Sequence, residues 1–355
     1  MRIAFYQNSI SPHQLPLARE VAKILGSDNM RYVYVADISA GRLKCGWANT
    51  QANAGVHLIQ VAEEGARDWL ENADVVYTGL RDFALFSRRR LKELKTFYVS
   101  ERWFKPIQLS RYLLPGWLRI VSPRYFMMLV KFVRWQNSDS RARCFAVGPD
   151  AAKDFNHIGI PLDKIIPWGY YVEQDQSLNG RQRSPVHKRE RRILWVGRMV
   201  ALKRVDTIIN ALRLLVEKKV QSTFTYTLTL VGEGPERKNL QKISSGLPVH
   251  FVPFQPIESV RGIMRDHDIF VFASNGLEGW GAVVNEALAE GLVVLGSAAP
   301  GSCRTLLPHD RLFEVGDYRR LAKLLSVEWT VDGLEERWTP KGAAKALAKL
   351  AKEDY

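Results

Sequence analysis

Short apolar runs alternate with helical periodicity along the chain, and this alternation constrains the fold more than any other feature. In the first half the runs lie at residues 2–6, 32–36, 74–78, 96–100 and 144–148. After the first run, apolar side chains recur at helical spacing at Leu17, Val21, Ile24 and Leu25. Strands that alternate with helices pair in parallel, because each helix carries the chain back across the sheet. The pattern therefore predicts a parallel α/β fold.

The same pattern starts again in the second half, so the 355 residues are expected to form two domains. Its strand-like runs are Ile193–Gly197, 226–231, 250–252, 268–273 and 292–296. Its first helix has an apolar face made of Val205, Ile208, Ile209, Leu212 and Leu215. The stretch Tyr171–Arg192 is polar and aperiodic, which is typical of a linker. We predict domains at 1–172 and 193–335, a linker at 173–192, and a final helix within 336–355 that can pack back on the first domain.

Positive charge is concentrated in one segment. The chain has a net charge of +14, and residues 87–143, which include Arg88–Arg90, contain 14 basic and 3 acidic residues. Such a segment attracts anionic partners. Within it, a predicted helix places Arg124, Lys131 and Arg134 on one side. The opposite side is apolar and consists of Tyr125, Met128, Leu129, Phe132 and Trp135. Two interpretations stay open: contact with an anionic membrane surface, with Trp103 and Trp117 nearby, or a helix packed on the first domain with its basic side in water.

Targeting and redox features indicate a cytoplasmic protein that can be peripheral on the inner face of the cytoplasmic membrane. Cys45, Cys144 and Cys303 are far apart and odd in number, as expected of reduced thiols. The N-terminus resembles a strand rather than a signal peptide. No apolar run approaches the ~18 residues of a membrane span.

The stretch Leu277–Gly291 indicates the kind of ligand more specifically than any other part of the chain. Glu278 lies beside glycines after an apolar strand, and Glu286 lies within the helix that follows. A strand, a glycine-containing turn and a helix start present backbone N–H groups to an anion. Carboxylates accept hydrogen bonds from hydroxyl groups. The stretch therefore suits a ligand that carries both phosphate and sugar hydroxyls.

Two other turns follow strands of the second half. In Gly197–Lys203, Arg198 offers a planar fork and Lys203 a point charge, and both suit a diphosphate. The second turn is Gly232–Pro235. Each alone is equally compatible with an ordinary turn. A third motif, Asp266–Asp268, has the Asp-x-Asp form of some metal sites, but Asp268 leads directly into a strand, so we expect no metal.

Taken in this order, the motifs resemble those of the retaining glycosyltransferases of family 4 over about residues 190–317. The resemblance implies the GT-B fold, in which two Rossmann-like doubly wound domains face a central cleft. It implies that Arg198 and Lys203 bind the donor diphosphate, that Glu278 accepts hydrogen bonds from the donor sugar and that Glu286 holds the ribose. The other substrate-binding residues that it implies, several through backbone N–H groups at the helix start, are Gly197, Gly232, Trp280, Gly281, Ala282 and Val283.

The first half departs from that family. The usual Gly-Gly loop after the first strand is replaced by Asn8–Gln14, and the usual mid-domain His position is occupied by Glu101. Glu101 is a candidate for binding an acceptor or sugar hydroxyl, or it could pair with Arg102 or another neighbour. His13 is a second candidate, with a helix cap or a solvated group as the alternative.

The predicted function is a retaining, metal-independent glycosyltransferase without a cofactor. It would move a sugar from a nucleoside-diphosphate sugar, UDP or GDP in the first instance, to a saccharide or lipid-linked acceptor hydroxyl. Surface polysaccharide or lipopolysaccharide synthesis would suit the basic first domain. A nucleotide-sugar epimerase or a phosphorylase on the same fold stays open as an alternative. A nucleic-acid binder is disfavoured, because the sequence has no helix-turn-helix, zinc or aromatic RNA-binding signature.

Overall fold

The computed structural model describes residues 1–39, 54–109, 112–174, 189–217, 224–331 and 333–353. It divides into two compact units. Unit 1 comprises Met1–Val172 and Glu335–Tyr355, and unit 2 comprises Glu173–Leu334. Each unit is built on a parallel sheet with flanking helices, as the alternation in the sequence predicts.

Unit 1 has a seven-stranded parallel sheet and a small antiparallel hairpin. The sheet strands are β1 Ile3–Gln7, β2 Met30–Tyr34, β3 Leu58–Gln60, β4 Val75–Thr78, β5 Lys95–Ser100, β8 Ala142–Val147 and β9 Ile165–Trp168, and the hairpin strands are β6 Ile107–Leu109 and β7 Tyr112–Leu114. The helices are α1 Leu15–Leu25, α2 Ala66–Asn72, α3 Phe83–Leu91, α4 Pro123–Ser138 and α5 Pro149–His157. The sheet order is β3-β2-β1-β4-β5-β8-β9, so the chain reverses its direction of growth at β1 and β4.

Unit 2 repeats the plan with six parallel strands in the order β12-β11-β10-β13-β14-β15. The strands are β10 Glu190–Val196, β11 Thr225–Val231, β12 Val249–Val252, β13 Ile269–Phe272, β14 Val293–Ser297 and β15 Leu312–Phe313. The helices are α6 Val205–Glu217, α7 Arg237–Ile243, α8 Ile257–Arg265, α9 Val283–Ala289, α10 Gly301–Leu306 and α11 Tyr318–Leu325. A last helix, α12 Pro340–Lys352, belongs to unit 1.

Alternate residues of β10 explain why the strand is apolar without interruption from Ile193 onwards. Ile193 and Trp195 enter a core formed with α6 and α11, whereas Leu194 enters a second core formed with α8 and α9. Because successive side chains of a strand point to opposite faces, a sheet covered on both faces needs apolar residues at every position. The predicted apolar face of α6 is confirmed, with Ile208 and Ile209 fully buried.

Helix α12 packs against α1, and its last turn is fixed by Lys95 of β5. The Lys95 ammonium donates hydrogen bonds to the carbonyl oxygens of Ala351, at 2.7 Å, and Glu353. The final turn of a helix leaves carbonyl groups without helical partners, and a buried cation satisfies them well. At its start, the Thr339 hydroxyl accepts a hydrogen bond from the Gly342 N–H.

The packing of α4 decides between the two interpretations of its apolar side. Leu129, Phe132 and Trp135 are buried in the core of unit 1, and the Trp135 ring stacks on Phe86 with 4.2 Å between centroids. Trp103 is buried in the same core. The predicted apolar side of α4 therefore packs against unit 1 and is not available to a membrane. Its cations, Arg124, Lys131 and Arg134, are exposed.

The basic segment 87–143 is also less exposed than its composition suggests. Arg89 is fully buried, and its guanidinium donates to the carbonyls of Leu70, at 2.9 Å, and Ala73, at 3.0 Å. Arg143 and Lys95 are buried as well. Part of the charge in this segment therefore organises the interior. Among the residues that the structure describes, no helix combines the length and apolar character needed to cross a membrane.

Some boundaries differ from the predictions. Strand β10 begins at Glu190, inside the predicted linker, and Arg191 is buried there because its guanidinium donates to the carbonyl of Leu325. Ile24, predicted on the buried face of α1, is 44% exposed. Burial raises the pKa of the Cys144 and Cys303 thiols, in keeping with unreactive thiols. Cys45 lies outside the described residues.

Candidate functional site

The predicted donor residues of unit 2 lie in the loops that follow β10, β11 and β13 and in the first turn of α9. The strands are parallel, so the carboxyl ends of these neighbours meet at one edge of the sheet. The sequence motifs Gly197–Lys203, Gly232–Pro235 and Leu277–Gly291 begin at this edge. We call it the unit 2 edge.

Close backbone contact joins the first two loops, and it requires glycine. A Cβ atom on Gly232, whose φ is 132°, would overlap the carbonyl oxygen of Gly197. The Met199 N–H donates to the Glu233 carbonyl at 2.8 Å, and the Glu236 N–H donates to the Met199 carbonyl at 3.0 Å. Gly197 and Gly232 thus hold the backbone in place, and their predicted contact with substrate stays a prediction.

A partly buried ion pair joins the first loop to the third. The Lys203 ammonium lies 2.5 Å from a Glu278 carboxylate oxygen, and the two side chains are 16% and 18% exposed. The ammonium also lies 5.0 Å from the centre of the Phe272 ring. Beside this pair, the Asn275 N–H donates to the Leu202 carbonyl at 2.9 Å. The structure therefore brings together two residues predicted from separate motifs.

Arg198 lies at the same edge with a different environment. It follows Gly197 directly and is exposed. Within the described part of the chain, its guanidinium has no hydrogen-bond or ion-pair partner. A planar, always charged group that is held near a glycine turn and open to solvent can bind a diphosphate through paired N–H donors.

The third loop is anchored by Trp280. Its indole is fully buried and donates to the Asn285 side chain at 2.8 Å, while its carbonyl accepts from the Ser302 hydroxyl at 2.7 Å. Gly281 has a φ of 90°, and a Cβ atom there would lie 2.5 Å from the Phe272 ring. The Trp280 side chain therefore supports the loop from inside. The predicted backbone contacts to phosphate at Trp280, Gly281, Ala282 and Val283 stay a prediction.

Glu286 lies in the first turn of α9 beside a charged cluster. It is partly buried, and among the described residues its carboxylate makes no hydrogen bond and no ion pair. Burial raises the pKa of Glu286; the neighbouring Glu290 also raises it, and Arg261 lowers it. Glu290 itself is buried and pairs with Arg265 at 2.7 Å and with Arg261 at 3.6 Å. A carboxylate with unfilled acceptor capacity at this position can accept hydrogen bonds from a diol.

The second aspartate of the Asp-x-Asp motif has a structural role. Asp268 accepts from the Arg192 guanidinium at 3.1 and 3.0 Å and from the Arg192 backbone N–H at 3.0 Å. His267 contacts the Thr229 hydroxyl at 2.8 Å. Both side chains therefore fasten the start of β13 to its neighbours.

Unit 1 brings its two predicted residues, His13 and Glu101, into one cluster through Tyr170. The Tyr170 hydroxyl donates to one Glu101 oxygen at 3.1 Å, and the Lys105 ammonium lies 2.5 Å from the other. The His13 ring stacks on the Tyr170 ring with 5.8 Å between centroids. Glu101 thus pairs with Lys105, while the neighbouring Arg102 pairs with Asp150 at 3.2 Å. We call His13, Glu101, Lys105 and Tyr170 the unit 1 cluster.

The sequence reasoning missed Lys105, Tyr170 and Arg261. A weak signal for Lys105 is its position four residues after Glu101. A signal for Tyr170 is its place just after β9, at the carboxyl edge of the sheet. Arg261 gives no such signal, because a basic residue on a helix is usually solvated.

The chain resembles known proteins in sequence over its second half and in fold over nearly its full length. Residues 190–326 match the family model described as group 1 glycosyl transferases. The GtfA subunit of the UDP-N-acetylglucosamine–peptide N-acetylglucosaminyltransferase of Streptococcus agalactiae is 26% identical over 136 residues, which cover 38% of this chain and 26% of that protein. The sulfoquinovosyl transferase SQD2 of Arabidopsis thaliana is 26% identical over 145 residues, which cover 39% of this chain and 25% of that protein. The chain thus spans about a quarter of the length of these curated relatives.

Solved structures resemble the chain over nearly its full length. HepE of Anabaena, crystallised with UDP, has a TM-score of 0.59 at 16% identity, and the match covers 98% of this chain and 95% of that one. The lipopolysaccharide outer core galactosyltransferase WaaB has a TM-score of 0.57 at 15% identity, with 92% and 89% covered. These likenesses confirm the predicted GT-B fold class.

Proposed function

We propose that the group 1 glycosyl transferase domain formed by residues 190–326 makes this protein a glycosyltransferase that uses a nucleoside-diphosphate sugar. The observation that carries the proposal is the Lys203–Glu278 ion pair, which unites two predicted donor residues at the sheet edge where the exposed Arg198 also lies. Cations next to a carboxylate fit a ligand with a diphosphate next to sugar hydroxyls. Glu286 supplies a second carboxylate for the ribose.

The reaction follows from these charges. A bond forms between the acceptor oxygen and the anomeric carbon of the sugar, and the bond from that carbon to the diphosphate oxygen breaks. The diphosphate leaves with the electron pair and takes the proton of the acceptor hydroxyl. Arg198 and Lys203 stabilise the charge that develops on the diphosphate, in the manner of preorganised cations at a leaving group. We propose on this basis a metal-independent reaction that retains the anomeric configuration.

The donor is proposed to be a UDP sugar. One of the two curated relatives has UDP-N-acetylglucosamine in its name, which supports UDP over GDP as the first choice. The acceptor is proposed to be a saccharide or a lipid-linked saccharide in glycoconjugate synthesis.

A thermal-shift panel of UDP, GDP, ADP and CDP, with their sugars, tests the donor site. A ligand that binds only the native state raises the melting temperature. We expect one nucleotide to raise it for wild type and to raise it less for Glu286→Ala. Glu258→Ala, which changes an exposed carboxylate on α8, serves as the control and is expected to keep the full shift. The absence of a shift with every nucleotide would count against the proposed function.

We also propose that unit 1 contacts an anionic membrane surface, through residues other than the apolar side of α4. Trp117 and Val121 are 59% and 78% exposed in a 3₁₀ turn that packs against the start of α4, and Met127 is 53% exposed. The exposed cations Arg119, Arg124 and Lys131 accompany them. Exposed aromatic and aliphatic groups among cations suit the interface of anionic lipid. The protein would then act on the inner face of the cytoplasmic membrane.

Vesicle co-sedimentation tests this surface. Wild type is expected to bind vesicles that contain phosphatidylglycerol and to bind pure phosphatidylcholine weakly. The double variant Trp117→Ser, Met127→Ser should lose most of this binding. Leu162→Ser, which removes an exposed leucine elsewhere on unit 1, should keep it. Equal binding by both variants would contradict the assignment.

A further inference from the structure

A second carboxylate, that of Glu290, lies one helical turn beyond Glu286. Glu290 is the residue that ends α9, and its side chain is only 1% exposed. Residues four positions apart on a helix are neighbours on its surface, and two carboxylates at this spacing repel one another. Glu286 can therefore hold a negative charge beside Glu290 only if a cation lies near both of them.

Helix α8 supplies cations to this pair of carboxylates. The Arg265 Nε donates to one Glu290 oxygen at 2.7 Å, and the Arg261 Nε lies 3.6 Å from the other. The two arginines are four positions apart, so they extend from the same side of α8. Burial raises the pKa of Glu286, the Arg261 charge lowers it and the Glu290 charge raises it. Arg261 is thus the cation that acts on both carboxylates.

A further contact fixes the Arg261 guanidinium. Its Nη2 donates to the carbonyl oxygen of Glu173, the first residue of unit 2, at 2.7 Å. The Arg261 side chain is 22% exposed. Partners on two different nitrogens hold a planar guanidinium in one orientation, here with Nε towards Glu290. The position of this charge is therefore set by the backbone as well as by the ion pair.

The other elements that pack against α9 are β14 and α10. In the described part of the chain, β14 carries no ionisable side chain, and α10 carries Cys303 and Arg304. Burial raises the pKa of the Cys303 thiol, so this thiol is uncharged at neutral pH. Arg304 is charged at every accessible pH. Neither group changes in the variants below, so an effect of Arg261 can be separated from theirs.

We propose that Arg261 is a positioning residue of the donor site, which keeps Glu286 ionised and thereby sets the preference of the site for ribose over deoxyribose. The proposal rests on the function proposed above, in which Glu286 holds the ribose. A hydrogen bond to an ionised acceptor is roughly twice as strong as one between neutral groups. A protonated Glu286 would form only the weaker kind, so the ribose hydroxyls would contribute less to binding.

Titration calorimetry with UDP and 2′,3′-dideoxy-UDP on the full chain tests this preference. Both ligands carry the same base and diphosphate, so the ratio of their dissociation constants isolates the ribose hydroxyls at every pH. Wild type should bind UDP about tenfold more tightly at neutral pH, as expected of a hydrogen bond to a charged group. Arg261→Met should lower this ratio to about threefold, as for neutral groups. The ratio should recover at higher pH, where Glu286 ionises without help.

Three further variants separate the charge of Arg261 from general damage to α8. Arg261→Lys keeps the charge and should keep most of the wild-type ratio. Arg213→Met is the matched control on α6, because Arg213 also pairs with a glutamate, Glu217, at 3.7 Å and donates to a carbonyl, that of Ile243. It should keep the wild-type ratio. The double variant Arg261→Met, Glu290→Gln also removes the repelling charge and should regain part of the ratio.

A measurement without ligand tests the effect of Arg261 on Glu286 alone. The free energy of unfolding in urea is compared between Glu286→Gln and its parent over a range of pH, once in wild type and once in Arg261→Met. In each background the parent should lose stability relative to Glu286→Gln until Glu286 is ionised in the folded protein. Without Arg261 this loss should continue to a higher pH.

An identical pH range for this loss in both backgrounds would overturn the proposal. So would an Arg261→Met variant that binds UDP and 2′,3′-dideoxy-UDP more weakly by the same factor at every pH, because that result indicates a purely structural role. Equal affinity of wild type for the two nucleotides would overturn the proposal while the donor function stands. A wild type that binds neither would count against the donor function and the ribose preference together. The unfolding measurement then still decides whether Arg261 keeps Glu286 ionised.

Discussion

Each unit carries a lysine–glutamate ion pair with the same 2.5 Å separation, at the carboxyl end of its own sheet. The pairs differ in what they connect. Lys203 and Glu278 come from loops that follow different strands and are less than one-fifth exposed. Lys105 and Glu101 come from one loop, four positions apart, and are more exposed. The first pair fastens two parts of the chain together, whereas the second orders a single loop.

The contacts around the two ion pairs also differ. At the unit 2 edge the loops meet backbone to backbone, through contacts such as that of Gly232 with Gly197. In the unit 1 cluster the contacts run between side chains, from Tyr170 to Glu101 and from His13 to Tyr170. Backbone contact permits few residue types, while a side-chain contact can be made by many combinations. The unit 2 edge should therefore tolerate substitution less well.

The largest effect that we expect is a difference in catalytic activity between variants of the two lysines. Lys203→Met should lower nucleotide release from the nucleotide sugar, with water as acceptor, by about 10²–10³-fold, because a preorganised group at the leaving group contributes about 3–4 kcal/mol. Lys105→Met should leave this rate within about twofold, the effect of a surface substitution outside the donor site. Steady-state kinetics of both variants provides the measurement. Equal losses would remove the functional distinction between the pairs.

A glycine substitution tests the backbone contact. Gly232→Ala should reduce the free energy of unfolding by about 3 kcal/mol, because it combines overpacking with a strained φ. Gly262→Ala in α8 is the control, since a Cβ there meets nothing within 4 Å and alanine favours a helix. Urea unfolding of the two variants should move the midpoint in opposite directions. A Gly232→Ala variant as stable as wild type would show that the loops can separate at little cost.

The same difference explains how far the sequence could predict the molecule. The α/β fold follows from the strand and helix periodicities, because burial on both faces of a parallel sheet dictates apolar strands such as Ile193–Gly197. The residues of the unit 2 edge were predictable because glycine contact and fixed spacing leave a recognisable motif. Lys105 and Tyr170 offer only positional signals, and these do not indicate that an ammonium and a stacked ring meet Glu101.

Burial also decides two points that composition leaves open. The run Arg88–Arg90 is uniform in sequence, yet only three-dimensional packing decides that its middle residue donates to carbonyls inside unit 1. Likewise, the apolar side of α4 could face a membrane or a core with the same periodicity. Amphipathicity predicts that one face is covered and does not identify what covers it.

A double-mutant cycle compares the two ion pairs directly. For Lys203→Met and Glu278→Gln, unfolding in urea should give a coupling energy of about 1–2 kcal/mol, as expected for groups in one contact network. For Lys105→Met and Glu101→Gln it should be about 0.5 kcal/mol, because exposed pairs spaced by four residues contribute little. Added salt should reduce the second coupling more than the first. Equal coupling energies would show that the difference in burial has no energetic consequence.

The smallest expected effect concerns Glu286, whose ionisation opposes folding. Burial raises the pKa of this carboxyl in the folded protein above its value in the unfolded chain. The folded state therefore binds the Glu286 proton more tightly than the unfolded chain does. The contribution of Glu286 to the free energy of unfolding accordingly falls as the pH rises from the pKa of the unfolded chain through the pKa of the folded protein. Glu286→Gln does not titrate and should escape this loss. Its stability relative to wild type should accordingly rise as the pH increases above the ordinary carboxyl value of 4.5, and it should level off once Glu286 is ionised in the folded wild type. A flat difference between Glu286→Gln and wild type over this range would mean that the Glu286 carboxylate is fully solvated when it is ionised.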